Sequence, residues 1–594
     1  MKKFKITRLL AILLVAVIAL SGCGKKITND EPKHDPVKLT LITLSAFEAQ
    51  ANVVRDQLKD IGIDLEVKLY PEFGSYFSDV KSGKYDMTII TMSGSGSPDE
   101  QVSPYKTGGA NLGGVADAEL DAMIDLAATQ IPEDYVETYK KIAKYYVLNK
   151  AYVVPLFNQQ TVLAFSNVVD MDSIVVGASC PRWLRTTSFK DKSLNDTKVY
   201  NYAISAGSPD TFDSVRGNSG TTRPINMNAN IRMLLVDSND KITTEGTLAK
   251  SYAVSGENNV FYFLLRDDIN FGKVENMKAV DTGVMVSAED VIYTYERAMG
   301  KISSPGVSPS LDKLDSISIV TDMEELKNNL VSGTKTSILD HFNSEVKEKC
   351  TALVEDRASV NNSEGKYQVI KMVTKNPYPQ FLINLSKTQL GIVSKDVVSK
   401  VNEGITAENY DHDKDVIYGD TVRMREGKDY NNNMWFSGPY VVTHIDDYAT
   451  YLESNPGFAS GTDEAAKIKN IAMKVVTDNA AQTSGVRNGE IDEAMPTGNN
   501  VNICESDKNV QVYKAPHLAV GNINFLFQGD SEVKNEDLRH AILYAINQDE
   551  MISIIGNINK AHSDLTMIDV GWYPEQDLKK AKEYMNAYFE SKEK

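Results

Sequence analysis

Groups able to do chemistry are sparse in this 594-residue chain, and the usual catalytic combinations are missing. The seven histidines (His34, His341, His412, His444, His517, His540 and His562) show no HExxH or other metal-ligand spacing, and His412, between Asp411 and Asp413, reads as solvated loop. There is no GxSxG elbow, no GxxxxGK[ST] phosphate loop, and no GxGxxG opening a helix; Gly94 to Gly96 is GxG without its third glycine. Paired carboxylates such as Asp446-Asp447 are more often exposed charge than acid-base machinery in so acidic a chain. The expectation is a protein that is not an enzyme and uses neither cofactor nor metal.

The elements that frame the remaining candidates begin with a leader. Lys2, Lys3, Lys5 and Arg8 precede an apolar run from Leu9 to Leu20. This run is shorter than the roughly 20 residues of a membrane span and marks a secretory signal. The stretch Leu20-Ser21-Gly22-Cys23 resembles the lipobox of bacterial lipoproteins, which implies cleavage before Cys23 and a lipid on its thiol; the alternative is an ordinary signal with an incidental cysteine. Residues 24–36 are polar, without apolar periodicity, and read as a tether. No later run approaches 18 apolar residues, so the body is expected outside the cytoplasm, held at a membrane and not embedded in it.

The net charge is −18, and the leader takes four of the cations, leaving the rest near −22. That acidity argues against nucleic acid as partner. Cys180, Cys350 and Cys504 lie far apart with no CxxC; a disulfide framework is not expected, and a single bridge stays open.

Lys38 to Leu44 reads as a buried strand, and Gln50 to Ile61 as a helix with Val54, Leu58 and Ile61 on one face. Gly62 stands where a helix C-terminus wants positive φ, and the alternation Ile63, Leu65, Val67, Leu69 predicts a strand. A strand from Met87 to Thr91 runs into Ser93-Gly94-Ser95-Gly96-Ser97-Pro98-Asp99, which is either a place for backbone to approach a ligand or a plain surface turn. Pro132 opens a periodic helix whose tyrosines, Tyr139 and Tyr146, read as core, and Tyr152 to Phe157 as a buried strand. The alternation indicates an α/β architecture. Ser179 to Asp196 is irregular, and Val199 to Ile204 then begins a new strand.

From here the blocks are identifiable. Ser208 to Asp213 (SPDTFD), Leu248 to Tyr252 (LAKSY), Phe261 to Phe271 (FYFLLRDDINF), Val286 to Val291 (VSAEDV), Tyr367 to Phe381 (YQVIKMVTKNPYPQF), Ser437 to Tyr440 (SGPY), Asn488 to Asp492 (NGEID) and Leu538 to Ile546 (LRHAILYAI) follow one another. Their order and spacing resemble the family 5 extracellular solute-binding proteins, the dipeptide, oligopeptide and nickel receptors of ABC importers. Blocks of the C-terminal part of that family come first here: Leu58 to Val67 (LKDIGIDLEV), Lys81 to Asp86 (KSGKYD), Gly113 to Asp121 (GGVADAELD) and Val153 to Leu156 (VVPL). Each occurs once, so the chain resembles a circularly permuted member more than a fusion with a second copy.

The resemblance implies an α/β, two-lobed clamp of the periplasmic-binding-protein kind (class II, three-domain). It divides the chain into signal 1–22, tether 23–37, one lobe from 38–150 with 516–594, a first lobe from 152–244 with 430–515, and an extra domain at 245–429. Crossings near Val153 and Leu518 would form the hinge, with ligand between the lobes. Further implied are a monomer at the outer face of the bacterial membrane, a peptide or other small solute, and an ABC permease with its ATPase as partner. A nickel-complex or small-solute receptor is the runner-up, and an extracellular hydrolase would need a catalytic set that is absent.

Peptide-binding relatives pair the ligand's α-ammonium with an aspartate in a Trp-containing loop. The matching run is Thr91-Met92-Ser93-Gly94-Ser95, with Met92 at the aromatic and Ser95 at the aspartate; a shifted loop would offer Asp99 instead. Thr221-Thr222-Arg223 lies where relatives contact ligand, and Arg223 either holds a carboxylate bidentately or is a surface arginine. Trp435 either flanks the cleft or belongs to the core.

Overall fold

A computed structural model describes residues 34–593, except 93–95, 109–112, 179–181, 206, 208, 210, 218, 302–310, 407, 410, 412–416 and 422–433. The leader, Cys23, Ser93 to Ser95, Cys180 and His412 therefore lie outside the described residues.

Strand Val37–Leu44 is followed by helix Glu48–Lys59, whose end is turned by Gly62 at φ +84°, and then by strand Ile63–Tyr70. Val37–Leu44 pairs in parallel with both Ile63–Tyr70 and Met87–Met92, the arrangement that strand-helix-strand alternation requires. Helix Pro132–Ala143 buries Tyr139, and Tyr146 in the π-helical turn that follows is buried as well.

One eleven-stranded sheet runs through the molecule. Its order is Tyr440–Ile445, Ala449–Ser454, Asn470–Val475, Tyr200–Ile204, Glu493–Ala494, Val153–Ser166, Val510–Phe525, Met87–Met92, Val37–Leu44 and Ile63–Tyr70, with Ile558–Asn559 pairing on Val153–Ser166. Its two ends carry separate hydrophobic cores. One gathers Leu39, Ile89, Leu120, Ile142, Ile523 and Met585; the other gathers Phe165, Tyr200, Tyr440, Val442, Ile471 and Met473. A smaller sheet, Leu314–Ile319, Val369–Thr374, Val260–Leu265 and Ala249–Ser255, is covered on both faces. Alternation along Val260–Leu265 sends Phe261 and Phe263 to one core and Tyr262 and Leu264 to another.

Among the described residues two long strands, Val153–Ser166 and Val510–Phe525, pass from one core of the large sheet to the other. They pair antiparallel from Ser166↔Val510 to Gln160↔Pro516, then resume at Asn158↔Val520. His517 to Ala519 thus stand opposite Gln159 alone, a bulge that bends the ladder where the halves meet. The Asn158 Nδ2 group fills it, donating to the carbonyls of His517 at 2.6 Å and Ala519 at 3.1 Å.

The quoted motifs are largely scaffolding. Ser287 and Asp290 form a capping box on helix Ala288–Ala298. Asp213 holds Arg297, both fully buried, and Asp492 holds Lys198. Cys350 and Cys504 are free and buried, so no bridge joins them. Helix Leu578–Lys592 packs on Glu536–Ala545, and its Phe589 stacks on His34 at 4.1 Å. Among the described residues no helix is long and apolar enough to cross a membrane, and no cluster of three or more His, Cys, Asp or Glu could hold a metal.

Candidate functional site

The bulge collects several of the groups singled out in the sequence. Met92 ends its strand paired with Val520, the first residue past the bulge. Helix Thr222–Ala229 carries the next candidates. Its far end is docked by the SGPY motif: the Ser437 hydroxyl accepts from Ile231 N at 3.0 Å, and Gly438 N donates to Ala229 O at 2.9 Å. A Cβ on Gly438 would lie 2.6 Å from the Ala229 carbonyl carbon, so only glycine allows this approach.

The near end of that helix carries Arg223. Thr221 and Thr222 are buried, and Ser219 holds the turn through its hydroxyl, which accepts from Thr222 N at 3.1 Å. Arg223 is exposed to solvent, yet protein crowds it enough that desolvation draws its guanidinium below the ordinary arginine value. No carboxylate among the described residues pairs with it.

His517 lies in the bulge, within electrostatic reach of Arg223. Burial first, and the nearby guanidinium second, hold its imidazole below the usual histidine range, so it is neutral at pH 7. Its Nδ1 accepts from Ala519 N at 3.0 Å, which leaves Nε2 as the protonated nitrogen. A guanidinium and an imidazole N–H within electrostatic reach of one another are donors of the kind that bind a carboxylate or a similar planar anion.

The other candidates lie elsewhere. Asp99 is 6% exposed and its carboxylate already has partners: Tyr378 OH at 2.8 Å, Lys313 Nζ at 3.0 Å, and the Ser97 hydroxyl. Trp435 is half-buried and packs toward Phe271, ring centroids 5.9 Å apart, in the core shared by the smaller sheet. Sequence reasoning passed over His517, since only the pairing of two distant strands brings it to Arg223.

The family model for bacterial extracellular solute-binding proteins, family 5 Middle, matches residues 243–588. The chain belongs to this family. Solved structures similar to this family 5 chain include DppA from Helicobacter pylori in complex with the peptide STSA (18% identity, 66% of this chain and 65% of that one, TM-score 0.39). Others are MoaA from A. tumefacien R10 with mannopinic acid (12% identity, 66% and 65%, TM-score 0.38) and a dipeptide-binding protein from Pseudoalteromonas sp. SM9913 with Met-Leu (13% identity, 52% and 50%, TM-score 0.33). The match thus spans just under two-thirds of the Helicobacter protein. No curated protein sequence matches the chain. Its fold is the mixed α/β, two-lobed solute-binding fold of family 5.

Proposed function

We propose that this family 5 protein is a lipid-anchored receptor at the outer face of a bacterial membrane, capturing a peptide and delivering it to an ABC permease whose ATPase drives uptake. The single observation that carries a carboxylate-bearing ligand is Arg223, a solvent-exposed cation, electrostatically coupled to His517, with no acidic partner among the described residues. His517 Nε2–H adds a second donor, and Met92 pairs with Val520 beside the same bulge. The lobes are 38–150 with 516–594 and 152–244 with 430–515, the extra domain is 245–429, and Cys23 carries the lipid. Permuted chain order is supported by helix Leu578–Lys592 ending against His34, so segments that are joined in relatives are neighbours here.

Ser95 bears on selectivity. A serine hydroxyl brings no charge to an ammonium, and charge-assisted bonds are roughly twice as strong as neutral ones. Acetylating a bound peptide's amine should then change affinity by less than about tenfold, ~1.4 kcal/mol. Native mass spectrometry of the purified protein identifies any co-purified ligand, and calorimetry with free and acetylated forms of that peptide tests the reading. Loss of all binding on acetylation overturns it. Cys23→Ala should move the protein from the membrane to the soluble fraction.

A further inference from the structure

The two ends of the molecule touch at a second place besides the crossing strands, and the groups there are polar. Helix Pro98–Val102 belongs with the first core through Val102, whereas Tyr378 and Phe381 belong with the core of the smaller sheet. Asp99 accepts from Tyr378 OH at 2.8 Å and from Lys313 Nζ at 3.0 Å; that ammonium also stands 3.8 Å above the Tyr378 ring. Gln380 reaches four groups, the Ala127 carbonyl at 3.4 Å among them. Its Oε1 accepts from Asp99 N and the Ser97 hydroxyl, each at 3.1 Å, and its Nε2 donates to Tyr139 OH at 2.9 Å. Lys387 pairs with Glu100 at 2.6 Å.

Units joined permanently share an apolar core, because separating them would expose it to water. Here the cores are separate, and the bridging groups can all be hydrated once parted. Parting this contact wets these polar groups together with the rings of Tyr378 and Tyr139, which are buried at the contact. It is directional, so it forms in one closed arrangement only. Its position explains why the Asp99 carboxylate is already engaged by Tyr378, Lys313 and Ser97.

We propose that Asp99, Tyr378, Lys313 and Gln380 form a latch that holds the 38–150 lobe against the extra domain of 245–429, and with it the clamp shut, making Asp99 a closure residue and not a solute contact. This rests on the reading that the lobes open and close around solute. The latch would bias the ligand-free chain toward the closed form and slow the entry of solute, since a ligand shifts a two-state equilibrium only by its differential affinity.

The test is small-angle scattering and amide exchange on the purified, ligand-free full chain, comparing wild type with Asp99→Asn, Lys313→Met and the double variant. Expected is a rise in radius of gyration in each single variant, faster exchange confined to residues near 97–105 and 378–387, and a double variant no more open than Asp99→Asn. Lys313 is half-exposed, so its variant reports even if Asp99→Asn fails to fold. Unchanged scattering and exchange in Lys313→Met overturn the latch, and so does expansion accompanied by loss of a cooperative melt. The solute reading fails separately: if no peptide compacts the opened variants while the variants still open, the latch stands and the receptor function falls.

Discussion

Arg223 carries the most specific prediction at the scale of single residues. Hydrogen bonds to charged groups contribute about 1.5–3 kcal/mol, so Arg223→Gln should weaken binding of a free-carboxylate peptide by about 10- to 150-fold. The same substitution should leave an amidated peptide nearly unaffected. Calorimetry on the four combinations decides it; equal losses for both peptides would place Arg223 outside the ligand's reach. Asp564 offers a prediction about pH. It is 7% exposed, accepts from Tyr105 OH and Asn522 Nδ2, each at 2.6 Å, and burial raises its carboxyl to about 6 despite those bonds. A folded value above the ordinary 3.8 means that the folded state holds the proton more tightly. This group's contribution is therefore fully present below pH 3.8 and is lost as pH rises through about 6, a change of about 3 kcal/mol. Asp564→Asn removes that titration. Calorimetric melting of both proteins should show the wild type's advantage shrinking between pH 4 and 7, and a constant difference would contradict burial as the cause.

Among the elements, the crossing strands set the behaviour of the site. Asn158 is buried and its amide satisfies two carbonyls of the bulge. Leucine there would leave both unpaired, at a cost of about 1–3 kcal/mol each. Asn158→Leu is expected to lower the melting temperature and to speed amide exchange at 516–520 more than elsewhere in the sheet; uniform exchange would mean the bulge does not depend on Asn158. How much of this was legible in the sequence follows from distance along the chain. The strand-helix-strand start, Gly62 as a terminator, and Tyr139 and Tyr146 as core were readable, because each rests on periodicity or backbone preference within a few residues. The two crossings were expected only through family resemblance, and the bulge between the two long strands was not foreseen. The coupling of His517 to Arg223 was illegible, since neither residue's neighbours hint at the other. Asp99 looked available for the same reason: Lys313, Tyr378 and Gln380 reach it from a different sheet. The Trp435 alternatives were separated only by its contact with Phe271.

For the whole molecule, chain order is the open question with the cleanest test. Helix Leu578–Lys592 meets His34, so a short Gly/Ser linker from Glu593 to His34 should span the gap. New ends can be opened at Asp196-Thr197, an exposed turn. The relinked chain, running from Thr197 through the linker to Asp196, is expected to fold with the parent's far-ultraviolet spectrum and a cooperative melt near the parent's. A relinked chain that stays unfolded would count against the permuted reading.

Strand Val510–Phe525, set between Val153–Ser166 and Met87–Met92, also governs the order of events during synthesis. Asn158 and its partner Ala519 are 361 residues apart, and loop closure on that scale must precede any reward from pairing. Met87–Met92 has Val37–Leu44 on one side from the start but waits for its other neighbour until most of the chain has been made. During that interval it presents an open edge, the kind of surface on which nascent chains self-associate. Slow, late completion of the central ladder is thus built into the topology. An exported polypeptide, crossing its membrane unfolded and only afterwards released, would meet that delay at little risk, whereas the same chain retained in a crowded cytoplasm would need a holding chaperone to survive it.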